Sequence, residues 1–423
     1  MLTRAISASR GLLASKRGFL VSSKLESFSR RLSFSVKDLG IAIDGVLFPY
    51  IWLRDACQCP FCVHPSTSQK LHRTSDINVD IKPSSDGIRS TNEGLHVEWT
   101  TGHKSFYATP FLERHSSPFR LSMAHKDVPQ ISWDTSYISQ VPHLFMPYKS
   151  LHTPSGLLAG INQLSQLGLL VVTGVPNVES SNQTCELRKL AQLFGEIRDT
   201  FYGELWDVKN VRNARNIAYT NLDLGLHMDL LYFEHPPRYQ ILHCLRNRVV
   251  GGTSIFVDSI HAASILRHIN PEAFDVLATT PVSFHYINDG HHLHHSHPII
   301  ELATTCPSAH GERPIRYINY SPPFQAPLPL STTPPAFYPA LAEFASLLAK
   351  PELKFEYTLN EGDAVLFDNR RVLHARTAFT DKEGSNAEYE SEANRWLKGC
   401  YIEADSMLDR GRMIRNEAQQ GIS

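Results

Sequence analysis

No part of the 423-residue chain contains the roughly 18 uninterrupted apolar residues of a membrane-spanning helix, so an integral membrane protein of that kind is excluded and no membrane partner is expected. A basic surplus is missing too: 41 Lys and Arg stand against 42 Asp and Glu, a formal charge of −1. Phosphate backbones are bound by clustered positive charge, so a nucleic-acid partner is disfavoured. Cysteine is scarce and uneven. Of seven, Cys57, Cys59 and Cys62 sit together, while Cys185, Cys244, Cys306 and Cys400 are isolated. A disulfide scaffold spreads paired cysteines through a short chain; a tight triplet in a long one points to metal and a reducing compartment. No internal repeat is visible.

Apolar material is sufficient, at 42% hydrophobic against 20% charged residues, so the chain can bury a core, and its length suggests one large domain and a smaller one. Histidine is abundant, with 21 residues, which directs attention to metal sites. Residues 1–35 read as a separate object. Arg4, Arg10, Lys16, Arg17, Lys24, Arg30 and Arg31 face a single acid, Glu26, among recurring serines. That is the profile of a mitochondrial transit peptide, with delivery to the matrix and processing near Arg30–Ser33 as the expectation.

Beyond the leader, residues 36–125 read as a small domain of short strands and turns. Val46–Phe48, Ile77–Ile81 and Leu95–Trp99 are its strand candidates. Residues 140–423 read as the larger domain. Helical spacing covers Ser155–Leu167, Ser180–Phe194 and Phe337–Leu348. Strand-like runs are Leu169–Thr173, Tyr239–Leu242, Thr253–Val257, Ile315–Tyr320, Lys354–Leu359, Ala364–Phe367 and Trp396–Ile402. The His-rich Gly290–His297 and the Pro-rich Ser321–Pro335 read as loops. Many strands and few helices predict a mainly β fold, a sandwich or jelly roll with helical decoration.

Leu226-His227-Met228-Asp229 puts an imidazole and a carboxylate two residues apart. On a strand, such residues share a face and can reach one ion. His374 ends another strand-like run 145 residues after Asp229 (374 − 229). Two histidines and one carboxylate on one face of Fe(II) leave positions open for a co-substrate and O₂. Arg395 follows His374 by 21 residues (395 − 374) and enters a strand, a pattern shared with 2-oxoglutarate oxygenases. Its guanidinium suits the far carboxylate of a chelating 2-oxo acid, although Arg376 competes for that role. The cysteine triplet offers three corners of a tetrahedral Zn(II) site, with His64 or His103 as the fourth; such a closed site is structural. Five histidines, His291, His292, His294, His295 and His297, have no carboxylate partner at strand spacing, and no physiological site is expected there.

The stretches Thr200–Trp206, Asn216–Thr220, His227–Asp229, His235–Pro237, Leu242–Cys244, Gly251–Gly252 and Phe367–Asn369 with His374 resemble the γ-butyrobetaine and trimethyllysine dioxygenase family, within the taurine-dioxygenase-like group. Trp52-Leu53-Arg54-Asp55 before the cysteines extends the likeness to about residues 45–415. The resemblance implies a double-stranded β-helix holding Fe(II), preceded by a small zinc domain. It implies Fe(II) on His227, Asp229 and His374, with 2-oxoglutarate on Arg395 and Ser254. Zn(II) falls to Cys57, Cys59, Cys62 and His103, the histidine arriving from a later strand. Tyr202, Trp206, Tyr219 and Tyr401 would hold a trimethylammonium group, and Asn216, with Asn319 as a second amide, the substrate carboxylate. The family likeness brings ascorbate as a reductant and a homodimer into consideration. The expected reaction is hydroxylation of γ-butyrobetaine to L-carnitine, with trimethyllysine as the alternative. One departure stands out: Leu230 occupies a position where the butyrobetaine enzymes have a tyrosine against substrate.

Overall fold

A computed structural model describes residues 33–125, 128–209, 219–304, 312–381 and 393–420, with no side-chain detail at 419 and 420. The leader therefore lies almost wholly outside the described residues, and so does Asn216. The chain divides into two compact units, one ending at Ala124 and the other starting at His125.

The first unit has two three-stranded antiparallel sheets. One joins Phe34–Lys37, Gly40–Ile43 and Val46–Pro49. Its second turn is Asp44-Gly45, both with positive φ, the geometry a two-residue hairpin requires. The other joins Pro83–Ser90, Gly94–Trp99 and Lys104–Ala108. Ile41, Leu53, Leu95, Val97, Trp99 and Tyr107 form the core between them. Trp99 can be buried because its Nε1–H donates to Ser105 Oγ at 2.9 Å. Ile77–Ile81 is not a strand. Asn78 Oδ1 accepts from the Asp80 N–H at 2.9 Å, and this local turn overrides the alternating pattern.

The second unit carries two larger sheets. The seven-stranded sheet runs Trp206–Lys209, Arg395–Ile402, Tyr239–Asn247, Ala364–Asp368, Leu169–Thr173 and Phe145–Pro147, with Ile197–Arg198 pairing at the end of Arg395–Ile402. Among the described residues of this sheet, only the Phe145–Pro147 and Leu169–Thr173 pair is parallel. The four-stranded sheet runs Leu224–His227, Val372–Arg376, Ser254–Asp258 and Lys354–Tyr357, all antiparallel. Leu169, Val171, Val365 and Phe367 of the first pack with Phe256, Phe355 and Val372 of the second. The Phe256 and Phe367 rings stand 5.8 Å apart, so the two sheets share an apolar core.

Helices Pro154–Leu167, Glu186–Phe194 and Ala404–Gln420 pack on the outer residues of the large sheet, among them Leu170, Ile241 and Leu366. The first is framed by Thr153, which accepts from the Gly156 N–H at 3.1 Å, and by Gly168 at φ +71. Ser259–Ile269, Pro271–Thr279 and Phe337–Leu348 share a second core. The fold is thus a mixture of strands and helices, in which the helices expected as decoration on a mainly β fold make up a larger share than the sequence suggested. The helix expected over Ser180–Phe194 starts only at Glu186. The His-rich segment is a strand, His291–Pro298, paired with Pro281–Asn288 across an Asp289-Gly290 turn. Among the described residues no helix is long and apolar enough to cross a membrane.

Candidate active site and metal centres

His227 and His374 are cross-strand partners in the four-stranded sheet, which brings their rings to 4.2 Å between centroids. The strand ends at His227. Asp229 is therefore carried by the following bend, not by the strand alternation assumed from the sequence, and Leu230 takes up the turn at φ +60. His374 sits inside Val372–Arg376 and not at its end. Asp229 Oδ1 is 3.5 Å from His227 Nε2, and its Oδ2 is 3.8 Å from His374 Nε2. His227 Nδ1 faces the Gly225 carbonyl at 2.9 Å, which fixes the proton there and leaves Nε2 as a lone-pair donor.

Asp229 is held at both ends. Its N–H donates to Asn369 Oδ1 at 2.8 Å, and Asn369 Nδ2 returns a bond to the Asp229 carbonyl at 3.0 Å. Burial works to raise the carboxyl pKa. The adjoining imidazoles of His227 and His374, and the Gln240 amide that donates to Oδ2, outweigh it and hold the group well below the usual carboxylate range. Burial, then the neighbouring His227, push His374 down to about 3. An anionic carboxylate and an unprotonated imidazole are the forms that bind a cation, so this donor set fits a divalent metal.

Arg395 is 5% exposed and has no acidic partner among the described residues. Burial, then the charge of Arg376, lower its pKa to about 10. Both guanidiniums lie over the Phe379 ring, at 5.4 and 5.0 Å. Arg395 lines a cavity together with His227, Asp229, His374, Ser254, Arg376 and Gln240. A buried cation without a counter-ion among the described residues, beside a metal-ligand cluster, fits an anionic ligand such as a carboxylate. Arg376 spends hydrogen bonds elsewhere, on the Thr220 carbonyl at 2.8 Å and the Leu222 carbonyl at 2.5 Å.

A second cavity adjoins Asp229 and is walled by Tyr202, Trp206, Tyr219, Tyr232, Phe324 and Tyr401, with Leu230 also on its lining. Trp206 stands 5.4 Å from Tyr401 and 6.5 Å from Tyr202. Burial raises the pKa of Tyr202, Tyr232 and Tyr401, so their hydroxyls stay protonated. Asn319 is not on either lining. Its amide donates to the Pro298 carbonyl at 2.8 Å and accepts from Arg370 at 2.8 Å, so the role of a second substrate amide is corrected to a structural one. Gln240, Leu224, Val208 and Phe324, which also line these cavities, have no counterpart among the candidates the sequence offers. Gln240 alone left a signal, as a polar residue inside the apolar run Tyr239–Leu242.

In the first unit, His103 Nε2 lies 3.4, 3.7 and 3.6 Å from the Sγ atoms of Cys57, Cys59 and Cys62. Bonds of about 2.3 Å to sulfur and 2.05 Å to nitrogen put tetrahedral S···N edges at about 3.6 Å, so the four donors fit zinc. The Cys62 N–H bonded to the Cys59 carbonyl at 2.8 Å coils the triplet, and the turn through Gly102 at φ +81 delivers His103. His64 points its Nδ1 at Ser66 Oγ, 3.2 Å away. Arg54 Nη1 donates to Cys62 Sγ at 3.4 Å.

Comparison with known proteins agrees with this geometry. The model of the family described as "Taurine catabolism dioxygenase TauD, TfdA family" matches residues 145–401, and that of "Gamma-butyrobetaine hydroxylase-like, N-terminal" matches 35–113. Dioxygenase str8 of Strobilurus tenacellus is 57% identical over 368 residues, covering 87% of this chain and 85% of that protein. Gamma-butyrobetaine dioxygenase of Homo sapiens is 30% identical over 383 residues, covering 89% and 93%. Human mitochondrial trimethyllysine dioxygenase is 29% identical over 373 residues, covering 88% and 83%. With the family match spanning more than half of its residues, and these relatives aligned along most of their length, the chain belongs to the TauD/TfdA family of 2-oxoglutarate-dependent dioxygenases.

Proposed function

We propose that the protein hydroxylates a small molecule at Fe(II) held by His227, Asp229 and His374, within a double-stranded β-helix made of its two large sheets. The observation that carries this reading is the juxtaposition of that donor set with Arg395, a buried cation with no acidic partner among the described residues. Arg395 would pair with the far carboxylate of 2-oxoglutarate, and Ser254 would add a hydroxyl on the same lining. Bound iron and 2-oxoglutarate supply the oxidation: O₂ is consumed, the 2-oxo acid becomes succinate and CO₂, and a substrate C–H becomes C–OH. The chain contributes position and dryness, with ring faces around the adjacent cavity excluding water and presenting one substrate carbon to the metal side.

The finer reading gives that cavity a trimethylammonium group. Such a cation donates no hydrogen bonds and is held by ring faces, each worth about 0.5–2 kcal/mol when desolvated. Tyr202, Trp206, Tyr219 and Tyr401 offer those faces beside the Asp229 carboxylate. γ-Butyrobetaine, giving L-carnitine, is the first substrate to test. Leu230 on the lining favours a second reading, trimethyllysine or another small carboxylate or sulfonate, because a leucine cannot make a tyrosine's contact. Zinc on Cys57, Cys59, Cys62 and His103 would be structural, and the basic leader would direct the protein to mitochondria.

Metal analysis joined to an O₂-dependent succinate assay tests the class, and parallel turnover of γ-butyrobetaine and trimethyllysine tests the substrate. Asp229→Ala is expected to abolish iron-dependent succinate formation. Undiminished succinate from that variant would overturn the triad.

A further inference from the structure

Gln240 is 1% exposed, sits on the strand Tyr239–Asn247 and lines the cavity that holds His227, His374 and Arg395. Chemistry fixes which way its amide points. An ionised carboxylate only accepts, so the Gln240 atom 2.9 Å from Asp229 Oδ2 is the Nε2–H donor. The Tyr401 hydroxyl donates to the same oxygen at 3.3 Å. Neither reaches Oδ1 as a hydrogen-bond partner, and Oδ1 faces His227 Nε2 at 3.5 Å. His374 Nε2 is 3.8 Å from Oδ2, so distance alone would let both oxygens approach an ion held between the two rings.

The two donors decide between them. An oxygen whose lone pairs already accept two hydrogen bonds is the weaker Lewis base of the pair. We infer that Gln240, acting with Tyr401, is a positioning residue that occupies Asp229 Oδ2 and leaves Oδ1 as the metal-binding oxygen. The inference rests on the metal reading given above and deepens it. A carboxylate bound through both oxygens would fill a coordination position that a bidentate 2-oxo acid and O₂ both need. Asn369 holds the Asp229 backbone and Gln240 its side chain, so rotation of the carboxylate is opposed independently of the bend that carries it. The other end of the amide fits the same picture. Gln240 Oε1 is buried and has no partner among the described residues, leaving an acceptor for a hydroxyl or water in the cavity.

The test uses the zinc-loaded full chain titrated with Mn(II), a hard ion that takes imidazole and carboxylate but does not displace zinc from thiolates. Affinity is read by electron paramagnetic resonance, exchangeable water on the ion by solvent-proton relaxation, and 2-oxoglutarate binding to the Mn(II) protein by calorimetry. Gln240→Met and Gln240→Leu remove the donor while keeping an apolar side chain, and Tyr401→Phe removes the other donor from the same oxygen. In each, relaxation enhancement per bound ion is expected to fall as the carboxylate closes on the metal. The 2-oxoglutarate affinity is expected to drop about tenfold or more, and further in the Gln240→Met/Tyr401→Phe protein. Variants that keep the wild-type melting temperature, relaxation enhancement and 2-oxoglutarate affinity would overturn the role of Gln240. Failure of the wild-type chain itself to bind Mn(II) would instead remove the metal reading beneath it.

Discussion

Trp206 lies across Gly399, its partner on the neighbouring strand, and the indole occupies the space where any other residue would place a side chain. A Cβ at position 399 would stand 2.6 Å from Trp206 Cζ2 and closer still to the two adjoining ring carbons. The absence of one atom thus lets the ring lie against the strand, tilted 41° to Tyr401, and face both cavities. Gly399→Ala is expected to push the indole outward, raise KM for the hydroxylated substrate about tenfold and lower the ratio of hydroxylated product to succinate. Steady-state kinetics with both products quantified checks this. An unchanged KM and ratio would mean that Trp206 does not wall the substrate.

Arg395 is the second position where one substitution separates binding from chemistry. Truncating one partner of a buried, hydrogen-bonded charge pair costs about 2–5 kcal/mol, so Arg395→Ala should weaken 2-oxoglutarate by at least an order of magnitude. Arg395→Lys should recover only part of this, since an ammonium lacks the planar fork. Calorimetry of 2-oxoglutarate on the Mn(II)-loaded protein measures both. Arg376→Ala serves as the control. Its guanidinium is already bonded to the carbonyls of Thr220 and Leu222, so its loss should act on the wall beside Tyr219 more than on the co-substrate.

The sequence carried the ligand types more readily than the geometry that presents them. His227, Asp229, His374 and the cysteine triplet could be nominated because metal chemistry restricts residue identity. How Asp229 reaches the site could not be read, because the strand stops at His227 and a leucine at positive φ makes the turn, an arrangement that no residue preference signals. Gly399 matters through a contact with Trp206 on a strand distant in sequence, and Gln240 through one with Asp229 on the bend 11 residues earlier, a pairing that only the folded geometry brings about. The His-rich strand was legible in principle. Asp289-Gly290 is a hairpin turn, and Val282, Phe284 and Tyr286 alternate inward before it, but the repeated histidines obscured the period on the returning strand. Asn78 shows the converse error, a good alternating pattern cancelled by one side chain bonding to its own backbone.

Zinc removal should act on the first unit alone. That unit is small, and its three cysteines, with the Cys62 thiol pushed up to about 11 by burial and then by Cys57, converge on His103 rather than on the apolar core around Trp99. Metal-binding free energy in such a site is folding free energy. A chelator, or Cys57→Ser, is therefore expected to expose residues 45–120 to protease while Mn(II) binding at His227, Asp229 and His374 persists. Limited proteolysis with mass mapping checks the first half and electron paramagnetic resonance the second. Intact protease resistance after complete loss of zinc would show that the apolar core around Trp99 suffices.

Acid should unfold the second unit through histidines that have no part in the chemistry proposed. His243 is buried on Tyr239–Asn247, opposite Ala364 and Lys398, and burial lowers its pKa to about 4. His297 is lowered to about 4 by the same cause, with its ring nitrogen donating to the Phe233 carbonyl at 3.0 Å. Unfolded histidine titrates near 6.5, so between pH 6.5 and about 4 the unfolded chain binds protons that the folded one refuses. Stability from each is complete above pH 6.5 and falls as pH drops toward 4, by on the order of 3 kcal/mol per residue. Melting temperatures from pH 7 to 4 should fall steeply for the wild-type protein and less steeply for His243→Gln and His297→Gln, which cannot take up the proton. Loss of the same number of degrees at every pH, with the slope unaltered, would place the acid sensitivity elsewhere in the fold.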